Sequence, residues 1–376
     1  MQLISPIVSL WFGAERKHQR RLKRFPGFWG LVLSMLLWVV ACQPQAPSPE
    51  ASPAATPSAA TPVLLNGTGA DFPFFIYQRW FTEYNQLNPE IQINYQPTGS
   101  EVGIQQVVSE TIDFGASDIA MTDEQIAEVE QGVVLLPMTA GSVAIAYNLP
   151  GVESGLKLSR AAFTGIFLGT LTNWNDPQIA AANPEVTLPD LPIILVHRSD
   201  GSGTTATLTR HLSAISPEWE SQVGTGLSVP WLTGVAVKSN AGVSAQIQQA
   251  EGAIGYVEFS YAQQLGMSVA ALENQSGAFV LPGVETAAAA LSDIDLPDNL
   301  RAFVSDPTDA NAYPIATYSW LLVYQQYEDA AKAEALRNLL QWCLTEGQQF
   351  SQELGYVPLP SEIAQRTLDA VAQIQP

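Results

Sequence analysis

From Val63 onward the apolar positions change period again and again along the chain. In VLLNGTGADF a short apolar run stops at a glycine-rich turn, and IQINYQP alternates apolar with polar, so both read as strands. Between them Ile76, Trp80, Tyr84 and Leu87 recur at helical spacing, which predicts a helix over FPFFIYQRWFTEYNQL packing that stripe inward. GSEVGIQQVVSE is a turn opening a helix, IDFGASD a strand running into a turn, and LPIILV a strand followed by a turn and a helix. Two longer apolar runs, MTAGSVAIAYN and YPIATYSWLLVY, read as extended strands. One long helix is expected over Tyr327–Gln349.

Strands alternating with helices predict an α/β fold with mixed, mainly parallel sheets. If the two long strands are paired crossings, residues 63–140 and 315–376 form one discontinuous lobe and residues 141–314 a second lobe inserted between them. Two crossings make a hinge, and a cleft between hinged lobes is where small ligands are held.

Residues 1–62 follow a different pattern. Arg16, Lys17, Arg20, Arg21, Lys23 and Arg24 precede the apolar run FWGLVLSMLLWVVA, which is short for a membrane span and has the layout of a secretory signal. VVAC resembles a bacterial lipobox, so residues 1–41 are read as a signal peptide and Cys42 as the lipid-bearing residue (palmitate among its acyl groups). Residues 42–62, rich in Pro, Ala, Ser and Thr, are expected to be a disordered tether.

Residues 1–41 hold six Lys/Arg and one acid, so removing them takes the formal charge from −20 to near −25. That excess argues against nucleic acid as partner. Cys343, among apolar residues on the expected C-terminal helix, is a core residue, and no disulfide is expected.

Four polar turns each follow a strand: GTGADF, TGSEVG, ASDIAMT and RSDGSGTT. In an open α/β sheet, loops at the carboxyl ends of strands converge on one crevice, and helix N-termini opening there favour an anion. In the last turn Gly201 and Gly203 let backbone approach a ligand, and Ser202, Thr204 and Thr205 carry hydroxyl donors. Arg198 offers a planar fork to an oxyanion, and Asp200 is placed to hold the fork still.

GTGADFPFFIYQRW, NYQPTGSEVGIQQV, DFGASDIAMTDEQ, RSDGSGTT, VGTG and EGAIGYVEFSYA together resemble, in collinear order, the phosphate-binding proteins that serve the bacterial phosphate ABC transporter. The likeness resumes more weakly at YPIATYSWLLVY and LGYVPLP. It implies a two-lobed periplasmic binding protein of the type II class, tethered at the periplasmic face of the cell membrane and delivering phosphate to permease subunits. It also implies a phosphate pocket made by Asp71, Phe72 (through its N–H), Ser100, Asp118, Arg198, Ser202, Gly203 and Thr204, with Asp200 supporting Arg198. No cofactor or metal is implied, and a monomer is expected.

Two departures from that family's pattern stand out. Asp71 stands where threonine or serine is usual, and Glu101-Val102 replaces a small Ser-Gly pair. A carboxylate beside phosphate is unfavourable unless a proton lies between them or the side chain turns away. An aspartate just before Pro73 is also placed to cap the helix that the proline begins.

Other functions fit less well. GSGT around Ser202 lacks the spacing of a nucleophile elbow, His197 should face away from the pocket, and His211 lies two turns down the helix. A metal phosphatase would need a His/Asp cluster. A binder of another oxyanion such as sulfate shares every feature except the meaning of Asp118, and a phosphate sensor with this fold but no transporter is not distinguished by the sequence.

Overall fold

The computed structural model describes residues 62–376, except Asp293 and Asp295. The expected signal peptide (1–41), the expected lipid-bearing Cys42 and the expected tether up to Thr61 lie outside the described residues. The described residues form one compact unit.

The strands among the described residues are, in chain order, β1 (Val63–Gly69), β2 (Ile91–Pro97), β3 (Phe114–Ser117), β4 (Val133–Tyr147), β5 (Lys157–Leu158) and β6 (Ile194–Arg198). There follow β7 (Val235–Val237), β8 (Ala253–Glu258), β9 (Ser268–Val269), β10 (Ala271–Glu273), β11 (Phe279–Val280) and β12 (Ala316–Tyr324). Nine of them form one sheet in the order β2-β1-β3-β12-β4-β8-β6-β7, with β9 also on β4. Pairs on the flanks, such as β1 with β2 and β3, and β6 with β7 and β8, are parallel. Around β4 and β12 every pair in this sheet is antiparallel.

The two long apolar runs do pair with each other. β4 pairs with β12 from Val133 to Ser142 and with β8 from Val143 to Tyr147, so it passes from one half of the sheet to the other within one residue step. Its fifteen positions are all buried, which explains why the sequence there is almost unbroken by charge.

Two helices differ from expectation. In the helix Phe74–Leu87, Ile76, Trp80 and Tyr84 are buried, but Leu87 is 66% exposed because the helix ends there, at the rim. The C-terminal helix covers only Ala330–Leu344 and continues as a 3-10 turn over Glu346–Phe350. Asp329 caps its start by accepting from the N–H groups of Ala331 and Lys332, and Cys343 is buried in its apolar face.

Candidate functional site

The four polar turns lie at the carboxyl ends of β1, β2, β3 and β6, and close packing of backbone brings them together. Gly69 has φ +138°, and Gly99 N–H donates to its carbonyl at 2.8 Å, which stitches the first turn to the second. A Cβ on Gly203 would come within 2.6 Å of Asp118 Cβ, so the fourth turn rests directly on the third. Only glycine allows that approach.

Arg198 is 3% exposed and lies between two carboxylates. Its Nε donates to Asp200 Oδ1 at 2.8 Å and one terminal nitrogen to Asp200 Oδ2 at 2.5 Å, the side-on fork expected from sequence. The other terminal nitrogen donates to Asp71 Oδ1 at 3.0 Å. Burial opposes the guanidinium's charge, but Asp71 and Asp200 outweigh it and hold the arginine above its ordinary value. Asp200, buried yet paired with Arg198, is held below the usual carboxylate range. Of the five guanidinium N–H groups three are used, leaving one on each terminal nitrogen.

Asp71 does not cap the helix after Pro73, where no side-chain cap forms. Its carboxylate instead takes Arg198 and two donors from Asn240, the backbone N–H on Oδ2 at 2.6 Å and Nδ2 on Oδ1 at 3.0 Å. The pull of a guanidinium and two further donors in a buried site exceeds what a helix cap offers. Its neighbour Phe72 is buried, with its carbonyl accepting from Tyr356 OH at 2.8 Å.

Ser100 and Asp118 form the opposite wall. Ser100 Oγ donates to Asp118 Oδ2 at 3.3 Å and accepts from the N–H groups of Asp118 and Gly203, each at 3.2 Å. Ser319 Oγ donates to Asp118 Oδ1 at 2.8 Å. Burial pushes the Asp118 carboxyl up to about 7, against the pull of Ser319.

Ser202 caps the helix Gly203–Ile215, accepting from Thr205 N–H at 3.2 Å. Thr204 Oγ1 is buried with no hydrogen-bond partner, a donor at the helix start in want of an acceptor. Thr205 is turned elsewhere, its hydroxyl 2.6 Å from Tyr256 OH. Glu101 lays its carboxylate against Gly201. The His197 ring stacks on Trp231 at 4.7 Å and its Nδ1 lies 3.1 Å from the Arg198 carbonyl oxygen, on the backbone and not on the guanidinium, and His211 bonds the Ser305 carbonyl.

The cluster joins six of the nine site residues expected from sequence by hydrogen bonds, Asp71, Arg198 and Asp200 on one side and Ser100, Asp118 and Gly203 on the other. Ser202 caps the helix that starts there, while Phe72 is engaged through its carbonyl with Tyr356 and the Thr204 hydroxyl has no partner. The cluster combines an arginine with two further N–H groups, a buried carboxyl able to accept a proton, hydroxyls, and the start of a helix. Such a set grips a tetrahedral oxyanion that still carries a proton. Asn240, Ser319 and Tyr261, whose OH donates to the Asp71 carbonyl at 3.1 Å, were missed. Asn240 lies in KSNAG, a fifth polar turn after a strand, and Ser319 is a polar break in an apolar strand. Both are signals the sequence carries.

Residues 52–346 match the model of the PBP superfamily domain. The phosphate-binding protein PstS of Xylella fastidiosa (strain Temecula1) is 38% identical over 354 residues, covering 91% of this chain and 96% of the relative. That of Haemophilus influenzae is 38% identical over 302 residues, covering 80% and 90%. A solved phosphate-binding protein from Stenotrophomonas maltophilia aligns with a TM-score of 0.67 at 20% identity, over 82% of this chain and 93% of that one, and so shares the fold. The nine-stranded sheet, the cluster at the carboxyl ends of its strands and these likenesses agree: the chain belongs to the PBP superfamily and, within it, to the family of PstS-type phosphate-binding proteins.

Proposed function

We propose that this protein binds inorganic phosphate at the Arg198 cluster and hands it to the permease subunits of a membrane ABC transporter. The observation that carries this reading is a buried arginine, held by Asp71 and Asp200, acting electrostatically on a buried Asp118 that is itself tied through Ser100 to the Gly203 N–H, in a strongly acidic chain. A charge of −20 repels anions at a distance, but in a closed cleft the few donors aimed inward decide. Residues 63–140 with 315–376 act as one lobe and 141–314 as the other, and phosphate enters by parting the Ser100–Gly203 contact. The pocket is Asp71, Phe72, Ser100, Asp118, Arg198, Ser202, Gly203 and Thr204, supported by Asp200.

Calorimetry of the purified protein with phosphate and with sulfate tests this. Tight phosphate binding and weak or no sulfate binding are expected, and absence of phosphate binding refutes the reading. The protein binds without turnover; sustained hydrolysis of a chromogenic phosphate ester that survives repurification would make it an enzyme.

The protein works as a monomer at the periplasmic face of the cell membrane, held by lipid on Cys42 after loss of residues 1–41, with 42–62 as its tether. Cys42→Ser is expected to release or misprocess it, because firm anchoring needs more than one acyl chain. Membrane fractionation decides: a cleaved, lipid-free Cys42→Ser protein that still stays fully attached contradicts the anchor.

Asp71 makes the site sensitive to pH. With Asp71, Asp118 and Asp200 around one arginine, each proton that phosphate loses adds repulsion. Affinity should fall as pH rises over roughly 6 to 8.5, where phosphate loses its second proton, and Asp71→Thr should flatten that fall. Parallel pH curves for parent and variant would show that Asp71 does not act on the ligand.

A further inference from the structure

Asn240 begins neither a strand nor a catalytic motif, yet every polar group it has that can face the cleft is engaged. It is fully buried. Its N–H and Nδ2 hold the two oxygens of Asp71, and its Oδ1 accepts from Glu258 N–H at 3.2 Å. The amide therefore has only one workable orientation. Flipped, its oxygen would face the Asp71 carboxylate and its NH2 would face the Glu258 N–H.

The residue before it shows that the backbone is bent for this purpose. Ser239 has φ +66°, a left-handed conformation that is strained for a non-glycine residue. In that conformation Ser239 N–H donates to Asp200 Oδ1 at 3.1 Å while the next N–H, of Asn240, donates to Asp71 Oδ2. Successive N–H groups of one turn thus hold the two carboxylates that grip Arg198 from either side. Asp71, Arg198, Asp200, Ser239 and Asn240 close a ring of hydrogen bonds. Asp71, on the turn after β1, is its one member from the half-sheet of β1, β2 and β3.

We propose that Asn240 is a positioning residue of the anion site: it clamps the Asp71 carboxylate and through it fixes the Arg198 guanidinium so that its two remaining N–H groups face the ligand. Without the clamp, Asp71 keeps only Arg198 as a strong donor and turns its charge toward the anion. The inference rests on the reading of the cleft as a phosphate site, and it concerns a pair, so a double-mutant cycle tests it.

Phosphate affinity is measured by calorimetry, and thermal unfolding without phosphate, for the parent, Asn240→Ala, Asp71→Thr and the double variant. Asn240→Ala should weaken phosphate binding about tenfold in the parent and less than about twofold beside Asp71→Thr. Its effect on Tm without phosphate should likewise shrink by at least about half when Asp71 is absent. A purely structural asparagine would give equal losses in both backgrounds, and that result, or no loss at all, overturns the proposal. Asn240→Asp, which keeps the shape and puts a second carboxylate against Asp71, covers the case in which the alanine variant fails to fold; it should lose more affinity than alanine, and only while Asp71 is present. If the parent binds no phosphate, the functional reading fails, while the unfolding cycle still decides whether the clamp exists.

Discussion

Arg198→Lys is expected to lower phosphate affinity roughly ten- to a hundredfold, the equivalent of losing about 1.5 to 3 kcal/mol of charge-assisted hydrogen bonding. The charge is unchanged, so the loss comes from geometry. Arginine serves two carboxylates at once in this cluster, Asp200 through two parallel bonds of 2.8 and 2.5 Å and Asp71 through a third of 3.0 Å, and in the proposed site its two remaining N–H groups would serve the anion. An ammonium has three hydrogens on one atom and cannot be forked between carboxylates on opposite sides while also reaching a ligand. Whichever acceptor it abandons is left charged and buried, since the side chains of Asp71 and Asp200 are only 4% and 11% exposed. The Lys variant should therefore also unfold at lower temperature without phosphate. Calorimetry supplies the decisive measurement; an unaltered dissociation constant would remove Arg198 from the ligand set.

Much of this cluster was legible because its chemistry is local. RSDGSGTT contains the arginine, the carboxylate that orients it and the helix start within eight residues, and hydrogen bonds between neighbours in sequence need no fold to be foreseen. The alternation of strands and helices was legible for the same reason, since each element declares its own period. What escaped were contacts set by the third dimension. Asp71 and Asn240 are 169 residues apart, and nothing local distinguishes an aspartate that caps its own helix from one that reaches a partner far along the chain. Ser319 lies 201 residues from the carboxylate it orients. The long helix was also expected to run on past Leu344, although TEGQQF carries one apolar side chain, Phe350, and a glycine that marks a helix end, and there the backbone tightens into a 3-10 turn.

Sulfate is expected to bind at least about two orders of magnitude more weakly than phosphate near pH 8, and Asp118 is the residue that causes the difference. A carboxylate buried to 1% exposure accepts a hydrogen bond from an anion that still holds a proton and repels one that holds none. The unpaired contact costs several kcal/mol, which sets the size of the gap. The raised titration of Asp118, to about 7, adds a direction to this expectation. Below that pH Asp118 carries its own proton and becomes a donor, so sulfate binding should strengthen as pH falls from about 8 to 5.5. Phosphate does not need that proton, because it brings one of its own. Asp118→Asn offers an N–H at every pH, so it should narrow the sulfate–phosphate gap by at least about tenfold at pH 8 and abolish the pH dependence of sulfate binding. Ser319, which donates to Asp118 Oδ1, and Ser100, which donates to Oδ2, leave the carboxyl held in place in either protonation state, so the comparison reads the proton and not a rearrangement. Calorimetry of both anions at pH 8 and pH 5.5, with parent and Asp118→Asn protein, settles the point. Sulfate binding by the parent at pH 8 within tenfold of phosphate would show that something other than Asp118 selects the anion.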